Sequence, residues 1–150
     1  MQLQIDQSQK IEQTSKDTVI GLTNSKTFSI LIPRKIKRRL QEEFRKKGEP
    51  RLFVYRTFIA GVVLLLYHSK LDLKENDVVV IDIEYFGKDQ ILASMFLEMY
   101  SRIFTKLPQI EFRTIGRKSK AHTVSYMTAK GKQKANKMLT YGELKDLALK

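Results

Sequence analysis

The run Asp77–Tyr85, DVVVIDIEY, constrains this chain more than any other segment. Five of the six residues 78–83 are Val or Ile, and β-branched side chains fit a pleated surface better than a helix. Alternation puts Val79, Ile81, Ile83 and Tyr85 on one face and Val80, Asp82 and Glu84 on the other. So continuous an apolar run predicts a central strand covered on both faces, closed by Gly87. Asp82 and Glu84 interrupt it. Residues two apart on a strand project from the same face, roughly 7 Å from each other. Two carboxylates on the inner face of an apolar strand are costly without a partner. Near the C-terminal end of a central strand, where α/β sites gather, such a pair suits a hard divalent cation. Two other readings stay open. Glu84 lies beyond the buried stretch in solvent, or both acids pair with neighbouring Lys or Arg.

The rest of the chain reads as elements around that strand. Residues 1–16 are rich in Gln and polar, and are expected to form a mobile tail. Thr18–Thr23 and Phe28–Ile32 are short β-prone runs, and the intervening NSKT suits a hairpin turn. Pro33 opens a basic helix with Ile36, Leu40 and Phe44 on one stripe, ended by Gly48 and Pro50. Arg51–Tyr55 is a third short strand candidate, and Thr57–His68 is apolar nearly all round, as in a buried helix. After the strong strand come a helix within Lys88–Thr105, a strand Gln109–Ile115, a helix capped by Ser119 that runs to about Lys130, and a last helix opened by the capping-box sequence TYGE at Thr140–Glu143. The second half is thus β-α-β-α, which favours parallel pairing and a mixed α/β fold. One domain over residues 17–150 is expected.

Charge says what such a domain meets. Lys and Arg number 28 against 16 Asp and Glu, a formal net charge of +12. The excess is clustered. Residues 33–51 hold nine basic residues against three acids, and 116–137 hold seven with no acid. Clustering favours a phosphate-bearing partner, nucleic acid first. The chain has no Cys, so disulfides, thiolate zinc sites and cysteine nucleophiles are excluded. Its longest apolar run, Phe58–Tyr67, is shorter than the ~20 residues of a membrane span. A cytoplasmic protein is expected.

Two further groups can serve the same chemistry. Gly116-Arg117-Lys118-Ser119-Lys120 joins a strand end to a helix start, where free backbone N–H groups and basic side chains suit phosphate, or else form an ordinary capped helix after a solvated basic loop. His122, in the first helical turn, is a metal ligand, a proton carrier or a phosphate donor, or else a packed histidine. Lys88 is either a partner for Glu84 or a phosphate contact, and Lys35 and Arg38 extend the basic surface along the first helix. Of the aromatics, Tyr85 or Phe86 is expected to be exposed near a site.

The strand VVVIDIEY and the segment SKAHTVSYMTAKGK resemble parts of the ribonuclease H-like superfamily. Asp82 falls on the metal-binding Asp of that family's fourth strand, and Ala121-His122 on the Ala-Asp pair of its final helix, so His replaces Asp. The resemblance implies a sheet with an initial hairpin, two metal ions held by acids, and phosphodiester hydrolysis. In it Asp82 and Glu84 would hold Mg²⁺ or Mn²⁺, with His122 as a third ligand or proton carrier. Arg117, Lys118, Ser119, Lys120, Lys88, Lys35 and Arg38 would contact nucleic acid. The family's first strand ends in Asp, where TVIGLTNS offers Asn24, and its first long helix supplies a Glu that Thr57–His68 lacks. The alternative is therefore a catalytically inactive binding or assembly module, of a ribonucleoprotein or mobile-element system, with a protein partner.

Overall fold

Leu3 and Ile5 alternate with Gln4 and Asp6 at the start of the chain. In the computed structural model, which describes residues 1–150, they form strand β1 (Gln2–Ser8). β1 lies inside the sheet. It pairs antiparallel with β2 (Thr18–Thr23), and β2 pairs antiparallel with β3 (Thr27–Ile32). On its other side β1 runs parallel to β4 (Val78–Asp82), and β4 runs parallel to β5 (Gln109–Arg113). The two-residue strand β6 (Lys137–Met138) joins β3, giving a six-stranded mixed sheet in the order β5-β4-β1-β2-β3-β6.

The mobile tail expected over residues 1–16 is therefore corrected, and so is the domain boundary at residue 17. Leu3, Ile5 and Ile11 are fully buried. Their alternation outweighs the low β-propensity of the surrounding glutamines, whose polar groups find partners. Gln7 accepts the Ile11 N–H at 3.2 Å and donates to the Tyr85 hydroxyl at 3.4 Å. The strand expected at 77–85 ends at Asp82 and stands second from one edge, while Val79, Val80 and Ile81 are all buried as its sequence requires.

Five helices complete the fold: α1 (Arg34–Lys46), α2 (Leu52–Ser69), α3 (Asp89–Ser101), α4 (Lys120–Ala129) and α5 (Tyr141–Ala148). The strand expected at Arg51–Tyr55 is instead the first turn of α2, where Phe53 packs edge-on against Phe44 of α1 at 6.2 Å. α2 is long and apolar enough to cross a membrane by length and composition, but 61% of it is buried inside the protein. It rests on β2 and β3, and α1, α3 and α5 pack around it. Gly61 permits the approach, since a Cβ there would meet Ile20 Cδ1 at 2.7 Å. Lys37 of α1 is fully buried, and its ammonium donates to the Gln13 carbonyl at 2.8 Å and to the Thr18 hydroxyl at 2.9 Å, which ties the β1–β2 loop to α1.

α4 covers the opposite face, lying across β1, β2 and β3. Gly21 in β2 sets its height, because a Cβ there would lie 3.1 Å from Val124 and 3.2 Å from the Ser125 backbone nitrogen. The backbone has to yield, so Gly21→Ala is expected to cost about 1–3 kcal/mol. Chemical denaturation measures this, and an unchanged midpoint would contradict the close packing.

Candidate metal centre

β1 and β4 run parallel with Ile5 opposite Ile81, so the next step of the register sets Asp6 beside Asp82 on the face that carries α4. Glu84 follows two residues later in the turn beyond β4. Carboxylate oxygens of Asp6, Asp82 and Glu84 all lie within 4.8 Å of one another. Opposite oxygens across one Mg²⁺ or Ca²⁺ stand roughly 4.2–5.2 Å apart, given bond lengths of about 2.1–2.6 Å. The spacing and the all-oxygen donor set fit a hard divalent cation.

The charges fit as well. Asp6 is buried, and burial raises its carboxyl above the usual range, with the Asp82 charge adding to the rise against a hydrogen bond from Ser125. Burial pushes Glu84 up to about 8, with the Asp6 and Asp82 charges acting in the same direction. The offsetting groups are Lys10, 3.6 Å from the Glu84 carboxylate and partly exposed, and His122 beside Asp6. Three clustered acids with so little balancing charge create the deficit that a bound cation removes.

Each acid is held from outside the cluster. The Asp82 carboxylate accepts the Ile115 N–H at 2.7 Å, so the basic loop 116–120 begins directly at the centre. Asp6 accepts from the Ser125 hydroxyl at 2.9 Å and pairs with His122 Nδ1 at 3.0 Å. A carboxylate only accepts, so that nitrogen carries the proton and Nε2 is left available. The His122 ring stacks near Tyr126, centroids 6.0 Å apart. Ser119 caps α4, its hydroxyl accepting the His122 N–H at 3.0 Å.

The structure thus brings together Asp82 and Glu84, as expected, and sets His122 against an acid that the sequence reading missed. That acid is Asp6, and Asn24 is not among the three clustered carboxylates. Asn24 instead shapes the β2–β3 turn, where its side chain accepts the Lys26 N–H at 2.9 Å. The signal for Asp6 was present, as an acid in the alternation of residues 2–7. Arg117, Lys118 and Lys120 are exposed around the start of α4. Lys88 does not reach Glu84; its ammonium lies 5.8 Å from the centre of the Tyr55 ring. Lys35 and Arg38 lie exposed on α1, the helix that packs on α2 and α5. Phe86 is 85% exposed beside the centre, while Tyr85 is half-buried and donates to Glu12 at 3.0 Å.

Comparison with protein-family models, curated proteins and solved structures finds no match to the chain.

Proposed function

We propose that this chain is a divalent-metal-dependent nuclease of ribonuclease H-like architecture. The observation that carries the reading is the convergence of Asp6 within β1, Asp82 at the end of β4 and Glu84 just beyond it, next to a basic loop. Asp6 answers to the acid that ends the first strand in that family, and Asp82 to the acid of its fourth strand. Glu84 provides a third carboxylate where α2 has none.

The three carboxylates would hold Mg²⁺ or Mn²⁺, which when bound supplies Lewis acidity and neutralises charge at a phosphodiester. The chain's own groups do the rest. Arg117, Lys118 and Lys120 attract the backbone and draw a phosphate toward the N-terminus of α4. Asp6 fixes the tautomer and orientation of His122, so that Nε2 can pass a proton to or from an oxygen of the scissile group.

The test is incubation of the purified protein with RNA, DNA and hybrid substrates, single- and double-stranded, with and without Mg²⁺ or Mn²⁺. Metal-dependent cleavage that Asp82→Ala removes is the expected result. Cleavage undiminished in that variant would overturn the assignment. The lack of an acid in α2 favours a second reading, a binding module without catalysis. That reading predicts salt-sensitive binding, no cleavage, and little effect of Asp82→Ala on affinity.

A further inference from the structure

Beside the acid centre lies a cleft of about 480 Å³. Its walls are Leu52, Val54 and Tyr55 of α2, together with Tyr85 and Ile91, and its polar rim is Arg51, Lys88 and Glu12. The basic loop meets the acid centre at Asp82, whereas this cleft meets it at Glu84 through the next residue, Tyr85. Lys10 spans the junction, paired with Glu84 and lying 5.8 Å from the centre of the Tyr85 ring.

We propose that this cleft holds one unpaired nucleobase of a single-stranded substrate, next to the nucleotide whose phosphate lies at the acids. The inference rests on the phosphodiester reading of that centre. Tyr55 and Tyr85 stand edge to face at 5.5 Å, and the Gln7, Glu12 and Phe58 contacts keep Tyr85 in place. A base stacking on Tyr55 takes the ring face that Lys88 now covers, and Lys88 turns to the adjoining phosphate. One Glu12 oxygen is held by the Tyr85 hydroxyl, and the other accepts from an exocyclic amino group of the base. Apolar walls, one acceptor and two rim cations match a nucleotide, and they match an extended peptide or a lipid tail poorly. A paired base cannot enter, because its face and edge are already engaged.

The probe is a single-stranded oligonucleotide with 2-aminopurine moved through successive positions, titrated with the full chain at low salt in Ca²⁺, which neutralises the acids, with the strand checked uncut on a gel. A fluorescence change confined to one position is expected. Val54→Trp, which fills the cleft from α2, should remove that change and weaken binding by about tenfold, the scale of one stacked base. Ile91→Trp fills it from α3 and gives an independent reading if the first variant unfolds in a thermal melt. Oligonucleotide binding with no position-specific change would overturn the proposal, as would a change that survives both substitutions. Equal affinity for a free 2-aminopurine nucleotide would also overturn it, because the site would then serve mononucleotides and not a strand. A position-specific signal without Mg²⁺- or Mn²⁺-dependent cleavage would sink the nuclease reading and leave the cleft standing. Cleavage without the signal would do the reverse.

Discussion

Asp6→Asn is expected to reduce metal-dependent hydrolysis by about 10³-fold or more, which corresponds to ~4 kcal/mol of lost transition-state stabilisation. The substitution keeps the shape of the side chain, and an amide oxygen can still accept from Ser125. It removes one of the three charges that would hold the cation, and it leaves His122 facing a neutral oxygen, since the same Asp6 oxygen accepts from Ser125 and from His122 Nδ1. Both losses fall on the same reaction, so the effect should exceed that of His122→Gln, which keeps the three acids. The fold should survive, because the neutral amide also relieves repulsion from Asp82 in a buried place. Two measurements check this. Cleavage assays report the rate, and thermal melts with added Mg²⁺ or Mn²⁺ report binding, which should raise the wild-type midpoint and not that of the variant. A variant cleaving within tenfold of the wild type would exclude Asp6 from the centre.

Much of the architecture was legible because burial and period agreed. The β-branched run of β4, the apolar α2, the capping box of α5 and the Ser119 cap of α4 each state their structure locally. The capping box is complete, with Thr140 and Glu143 each accepting the other's backbone N–H at 3.2 and 2.8 Å. β1 was not legible by composition. Gln2, Gln4 and Gln7 suggest a solvated segment, and only the placement of Leu3 and Ile5 between them marks a strand. Its burial depends on partners far along the chain: Tyr85 for Gln7, and Ser125 and His122 for Asp6. No local pattern announces such partners.

The site was half legible for the same reason. Asp82 and Glu84 are conspicuous because they break an apolar run, whereas Asp6 is one polar residue among several. What identifies Asp6 is pairing register, which is a property of the assembled sheet. His122 was visible through its basic neighbourhood, but its role as the partner of Asp6 follows from α4 crossing β1 and β2, close over Gly21 of β2. Spacing alone makes Lys88 either a partner for Glu84 or a phosphate contact. The turn beyond β4 sends it toward Tyr55, and Lys10, from the segment read as a tail, takes that place.

With chelator present, the protein is expected to lose stability as pH rises from 5 to 8, and Glu84→Gln should flatten much of that loss. The folded Glu84 titrates near 8, against 4.5 for an unperturbed side chain, because burial and the Asp6 and Asp82 charges disfavour its ionised form. Between those values the folded state holds a proton that the unfolded state has released. Stability from this group is therefore complete below about pH 4.5 and disappears as pH passes through 8. The limiting slope is ~1.4 kcal/mol per pH unit for one proton. Asp6, also raised, acts in the same direction. Lys10 opposes the effect only in part, since its side chain is 43% exposed and its charge is screened by water. A divalent cation should reverse the trend above neutrality, because it binds the ionised carboxylates and not the protonated ones. Denaturation midpoints across this range, in EDTA and in Mg²⁺, give four curves for wild type and Glu84→Gln. A wild-type curve in EDTA that rises from pH 5 to 8, or Mg²⁺ that stabilises the two proteins equally, would show that the three carboxylates do not act as one charged centre.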